Sequence, residues 1–278
     1  VSRSHTEADR GPVAGARVHP LSVLSVGFAC LFMLFVVTLL VSDLLFTDLG
    51  AFRETLGSPA IQAAMKLSLI TSGASLLLVL LFAVPVGYAL SRYRFPCHVL
   101  VETLIDLPIV LPPLVIGVSL LVFFNTPVGR FVEGLGLQFV YTVPGIILCQ
   151  FLVSASYGIR AAAAAFGSVD RRLEQVALTL GCTQGGAFRR VSLPIARSGI
   201  VAGAIMAWAR AVGVFGPLMI FAGSVRFKTE VMPTTIFLEL SIGRIEVALA
   251  VALVMLAMAT VALVLIHALA PGKRWWGV

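Results

Sequence analysis

The apolar residues of this chain gather in six long runs. Leu21–Ser42 extends 22 residues without a charge, Leu67–Ser91 extends 25, and Leu107–Arg130 opens with 23. Phe139–Ile159 extends 21 residues and Val247–Gly272 extends 26. Ser198–Val225 extends 28 and is interrupted only by Arg210. A helix rises ~1.5 Å per residue and needs about 20 apolar residues to cross ~30 Å of hydrocarbon. All six runs are long enough, so the pattern predicts an all-α polytopic protein with six transmembrane helices. The transmembrane domain then covers 21–270, between a tail at 1–20 and a tail at 271–278. The first run is longer than the core of a cleaved signal, about 7–15 residues, and lacks a small-x-small exit, so it reads as a retained span.

Composition agrees. Only 12% of the 278 residues are charged, 59% are hydrophobic and the mean hydropathy is +1.03. Soluble domains carry roughly 25% charged residues. Half that allowance cannot cover a globule, which excludes a soluble enzyme, a disordered chain and a disulfide-rich secreted module. The net charge of +7 follows topology. With the N-terminus inside, thirteen Lys and Arg residues fall on inside segments and four (Arg53, Arg130, Arg226, Lys228) on outside ones. That bias places both ends in the cytoplasm of a plasma (cell inner) membrane protein and needs no nucleic-acid partner.

Chemistry is sparse. The four histidines are scattered, and the four cysteines show no C-x-x-C spacing, so neither a metal site nor a disulfide is expected. Gly223-Ser-Val-Arg-Phe-Lys228-Thr229 is the nearest approach to a phosphate-binding loop. It lacks the glycine before the lysine and falls on an outside segment. No catalytic residue or cofactor is predicted, and the chain should not hydrolyse ATP. Any driving energy comes from an ion gradient or a separate subunit.

The informative polar segment lies between the fourth and fifth runs, Arg160 to Arg197. Asp170 suits a helix N-cap and Glu174 the first turns. Leu173, Val176, Ala177 and Leu180 follow helical spacing, and Gly181 suits the residue after the helix. Gly185-Gly186 reads as a turn and Leu193-Pro194 as re-entry into the membrane. Two surfaces could receive such a helix: anionic headgroups, favoured by Arg171, Arg172, Arg189 and Arg190, or another protein.

Residues 168–194 resemble the signature loop of importer-type ABC permeases, E-A-A, three residues, G, nine residues, I-x-L-P. Gly181 is followed by nine residues and then Val191-Ser192-Leu193-Pro194. The triplet aligns with Gln175-Val176-Ala177, so glutamine stands where the family has glutamate, and Glu174 lies one position earlier. Either Glu174 takes over the polar contact from about 100° around the helix, or the contact tolerates an uncharged group. The resemblance implies a coupling helix that docks on an ATP-hydrolysing subunit through Glu174, Gln175, Val176, Ala177, Gly181, Leu193 and Pro194. It extends over roughly 65–270. Asp106-Leu-Pro-Ile-Val-Leu-Pro112-Pro113, Thr142-Val-Pro-Gly-Ile-Ile-Leu-Cys-Gln150-Phe and Ala209-Arg210-Ala211-Val-Gly213-Val214-Phe215-Gly216 look like the molybdate/tungstate/sulfate branch, closest to molybdate permeases. The last motif is usually A-R-A-x-G-E-F-G, so Val214 replaces a glutamate.

Arg210 and position 214 are four residues apart, the spacing of a helical ion pair, and valine removes that partner. A charge at mid-span costs ~2.5–3.5 kcal/mol on insertion scales. Arg210 therefore needs another anion. Glu102, Asp106, Glu239, Glu246 and a passing oxyanion are the candidates, with snorkelling to an interface the remaining option. Arg210, Gly213, Pro112 and Pro113 mark a candidate substrate path. Pro85, Pro108, Pro112, Pro113, Pro144 and Pro217 can each kink a span, and Pro108-x-x-x-Pro112-Pro113 should break the third. Each is a static kink or a gate. Gly199-x-x-x-Gly203 has close-packing spacing, and Trp275-Trp276 suits an interfacial anchor. The resemblance implies an ATP-driven oxyanion importer: two permease copies, two cytoplasmic ATP-binding subunits and an extracytoplasmic substrate-binding protein. Molybdate or tungstate is the expected cargo, with sulfate, thiosulfate and phosphate as rivals. An ion-coupled secondary transporter is the alternative of another class.

Overall fold

The computed structural model describes residues 20–269, and their side chains between 23 and 264. The two tails, with Arg3, Arg10, Arg17, Lys273, Arg274 and the Trp275-Trp276 anchor, lie outside the described residues. The chain divides into two compact units. The first holds α1 (Pro20–Phe46), whose stretch Val23–Phe46 is apolar and long enough to cross a membrane.

The second unit begins with α2 (Leu49–Gly57), capped by the Asp48 carboxylate, which accepts from the Gly50 amide at 3.2 Å. α3 (Pro59–Arg92) is 34 residues long and starts on a proline, whose missing donor costs nothing at a helix N-terminus. α4 (His98–Val110) and α5 (Pro113–Asn125) meet at Leu111-Pro112 with a bend of 112°. This is the predicted break. Pro112 forces Leu111 out of the helical region, and two successive residues have no amide to donate. α6 (Pro127–Gly134) is capped by Thr126. α7 (Val143–Gly167) is followed by α8 (Arg171–Thr179).

The fifth span departs from expectation. α9 (Gln184–Ala187), a π-helical turn (Phe188–Ser192) and α10 (Leu193–Val212) form one helix of 29 residues, Gln184–Val212. It begins before Ser198 and ends well before Val225. Gly185 and Gly186 lie in its first turn, which Thr183 caps by accepting from the Gly186 amide, so they are not a turn. Pro194 offers no amide to the carbonyl four residues back. The widened turn before it absorbs the mismatch, with the Leu193 amide bonded to the Phe188 carbonyl five residues away. Beyond Gly213 the chain makes α11 (Gly216–Phe221), α12 (Met232–Ser241) and α13 (Ile245–Leu269). Among the described residues, α1, α3, α7, Gln184–Val212 and α13 are each long and apolar enough to span. The bent α4–α5 pair makes a sixth if it counts as one.

Lipid tails are as apolar as leucine, so close packing rather than water exclusion holds such helices together. α7 is the axis, flanked by α3 and α10. A Cβ on Gly87 of α3 would lie 2.7 Å from the Ala162 Cβ, and one on Gly158 would collide with Val79. On the other flank, a Cβ on Gly199 would lie 2.6 Å from the Ala165 Cβ, and one on Gly203 would strike Ala161. The Gly199-x-x-x-Gly203 spacing is therefore a packing device. α3 also carries a buried hydroxyl stripe. Ser72 accepts from the Trp208 indole at 3.2 Å and Ser68 from the Met232 amide at 2.8 Å, tying α3 to α10 and α12.

Candidate functional site

Two places collect the residues singled out by sequence. The first is α8, at one end of the bundle. Asp170 accepts from the Arg172 amide at 2.9 Å and starts the helix. Gly181 ends it with φ +87°, a conformation that favours glycine. The Cys182 amide bonds the Ala177 carbonyl and the Gly181 amide bonds the Leu178 carbonyl, each at 3.0 Å. This is a Schellman closure, and it explains a glycine at this place in the loop.

α8 has two faces of different character. Toward the bundle, Ala177 is buried and the Glu174 carboxylate accepts from Arg92 Nε at 2.8 Å, from the Tyr88 hydroxyl at 3.3 Å and from the Ser192 hydroxyl. Arg92 also donates to the Val169 carbonyl at 3.0 Å, and Arg171 to the Ser91 carbonyl at 2.7 Å. Away from the bundle, Leu173, Val176 and Leu180 are exposed by 47%, 55% and 79%; Gln175 is also exposed but lines a cleft with Tyr88, Arg92 and Glu174. The apolar stripe is thus split: Ala177 packs inward and the three larger residues face outward. Leu193 packs into the core beside Phe188, and Pro194 stands at the start of α10, so neither joins the outward face of α8. Glu174 turns its carboxylate toward the chain's own body, one position before Gln175.

The second place is a cavity of about 160 Å³ lined by Pro113, Val153, Arg210, Gly213, Val214, Phe215, Gly216 and Pro217. It joins the break between α4 and α5 to the end of α10. Pro113, Arg210 and Gly213 come together there, and Pro112 caps α5 just outside it. Among the described residues, no ion pair or hydrogen bond engages Arg210. The carboxylates named for it are used elsewhere. Arg160 Nε donates to Asp106 at 2.6 Å and its Nη1 to Glu102 at 3.3 Å. Glu239 pairs with Arg226 at 2.9 Å and with Arg244 at 3.3 Å. Glu246 makes no ion pair with it. Among the described residues, Arg210 therefore forms no permanent ion pair. The helical i,i+4 reading of Arg210 with position 214 also fails, because α10 ends at Val212 and Val214 lies buried beyond the cap.

Several polar contacts escaped the sequence reading. Arg92 counted only toward charge bias, and nothing local linked it to Glu174, 82 residues away. Glu230 and Glu239 are almost fully buried at 3% and 2% exposure. Burial pushes the Glu230 carboxyl up, opposed by the Thr235 hydroxyl and by Arg226 and reinforced by Glu239. Glu230 Oε1 accepts from Thr235 at 2.9 Å. Arg244 also pairs with Glu54, so the cluster links α2, α12 and the connector between α11 and α12.

Residues 83–275 match the family described as binding-protein-dependent transport system inner membrane component. The molybdate/tungstate transport system permease protein WtpB of Thermococcus kodakarensis is 40% identical over 176 residues, 63% of this chain and 67% of its own length. The molybdenum transport system permease protein ModB of Mycobacterium tuberculosis is 34% identical over 209 residues, 74% of this chain and 79% of its own. The sulfate transport system permease protein CysT of Escherichia coli is 31% identical over 251 residues, 88% of this chain and 91% of its own. In three dimensions the chain is similar to a bacterial ABC transporter involved in the import of the acidic polysaccharide alginate, with TM-score 0.73, 17% identity, and coverage of 90% of this chain and 94% of the other.

Proposed function

The chain belongs to the family of binding-protein-dependent transport system inner membrane components, and from that premise we propose that it forms the path of an ATP-driven importer for a tetrahedral oxyanion, molybdate or tungstate. Ion-coupled secondary transport gives way to this family membership. Arg210 carries the reading. It is a cation within a span, at a cavity beside a broken helix, with no anion of the described chain to satisfy it. Such a charge costs too much to keep idle, and a passing dianion is the partner its surroundings lack. A conduit must hold its ion weakly enough to release it, and one guanidinium among apolar walls meets that condition. The names of the relatives supply the metal oxyanion. Sulfate is the second reading, carried by the sulfate permease's 31% identity over 88% of this chain.

Two copies of the chain would enclose one path, with both termini and α8 in the cytoplasm, as the charge bias implies. An ATP-hydrolysing subunit would seat α8 through the polar Gln175 and through Leu173, Val176 and Leu180, whose apolar surface has no cover within the described chain. A substrate-binding protein would deliver the anion from the other side. The test is reconstitution with such an ATPase and binding protein, followed by ATP-dependent uptake of labelled molybdate, tungstate and sulfate. Saturable molybdate or tungstate uptake that sulfate competes poorly supports the reading. Uptake that needs no ATP, or that prefers sulfate, overturns it in part or whole.

A further inference from the structure

Glu174 makes more contacts to the bundle than a docking residue needs. Its carboxylate gathers Arg92 and Tyr88 from α3 and Ser192 from the π-helical turn that opens the fifth span. Its side chain is only 14% exposed and that of Arg92 only 6%. Such a pair, broken on one side, leaves an uncompensated charge, so it holds its geometry tightly. Around it, Tyr88 packs edge-on against Phe166 of α7 at 5.3 Å and against Phe188 at 4.7 Å. Four segments therefore converge on one joint: α3, α7, α8 and the start of the fifth span.

Beyond the joint, α3 and α7 behave as one rod. Their close approaches at Gly87–Ala162 and Gly158–Val79 lie on either side of Pro85. We infer that Glu174 is the positioning residue of coupling: through Arg92, Tyr88 and Ser192 it locks α8 to the α3–α7 pair. A push on the outward face of α8 then moves the spans instead of bending the loop. This rests on the proposed function. It assigns docking to Gln175, Val176 and Leu180, and transmission to the neighbouring Glu174.

The test uses the complete transporter in proteoliposomes. Glu174→Gln and Arg92→Gln should leave co-purification of the ATPase and its ATP hydrolysis near the parent level. Oxyanion moved per ATP should fall about tenfold, the factor that loss of one charged hydrogen bond carries. Loss of ATPase binding in proportion to transport would place Glu174 on the docking surface and overturn the inference, as would unchanged transport per ATP. A second measurement needs no disabling change at the joint. Spin labels at Arg172→Cys and Leu81→Cys, with the four native cysteines replaced by alanine, report the distance between α8 and α3. Equal distances in nucleotide-free and nucleotide-trapped complexes support a rigid joint, and a shift between those states refutes it. If the parent transporter shows no ATP-driven uptake, the proposed function has failed. If only the variants or labels misbehave, this inference has failed.

Discussion

Replacing Arg210 by glutamine should separate stability from transport. The substitution removes a charge from a span without stripping any described group of a partner. Holding a cation at mid-span costs ~2.5–3.5 kcal/mol on insertion scales, and less in the last turn of a span, where Arg210 sits. Arg210 is half-buried at its cavity, so the variant recovers part of that cost and its melting temperature should stay level or rise. Transport should move the other way. One charged hydrogen bond to the passing anion is worth ~1.5–3 kcal/mol. At ~1.36 kcal/mol per factor of ten, uptake kcat/KM should fall about 10- to 100-fold. Arg160→Gln is the control. It leaves the Asp106 and Glu102 carboxylates, 37% and 36% exposed, without their partner, and should lower stability by up to about 1 kcal/mol. The assays are a thermal unfolding scan in detergent and initial rates of ATP-dependent oxyanion uptake at equal protein. Arg210→Gln that melts as early as Arg160→Gln, or that transports like the parent, would refute the reasoning.

Three further outcomes follow from the packing and charge of the chain. Gly158→Ala drives a methyl into Val79 between α3 and α7, and should cost about 1–3 kcal/mol, whereas Gly73→Ala meets open space and should be neutral or slightly stabilising; paired unfolding scans check both. Val176→Glu and Leu180→Glu change exposed positions of α8, so melting should be unaffected while co-purification of an ATP-hydrolysing subunit is lost. Glu230 lies in the connector before α12, outside the spans, with a carboxyl that burial holds above the ordinary range. The folded state therefore binds its proton more tightly than the unfolded state. Its stabilising contribution is complete below the ordinary carboxylate pKa and is lost as pH rises through the raised value. Melting temperature should fall over that interval in the parent and stay flatter in Glu230→Gln.

The chain's linear pattern determined the class of molecule and the position of the α8 loop. Runs of about 20 apolar residues have few alternatives to membrane helices, because every backbone amide in lipid must be bonded internally. The spacing from Gly181 to Pro194 identified the α8 loop because a glycine free to adopt positive φ after a helix is a local requirement, legible at that residue; Pro194, read as a re-entry, lies inside the helix Gln184–Val212. Paired prolines at 112 and 113 revealed the broken span for the same reason. Helix ends without such strong signals moved. The fifth span slid toward Gln184 because amphipathic residues 184–197 continue the helix that apolar counting began at Ser198. Which way a side chain points, and whom it meets, was decided only in three dimensions. Glu174 finds Arg92 across 82 residues, and among the described residues Arg210 meets no carboxylate, while Glu102, Asp106 and Glu239 pair with Arg160, Arg226 and Arg244. Charge pairing depends on distance in space, and in a bundle that distance is set by which helices pack together, a property no single segment carries.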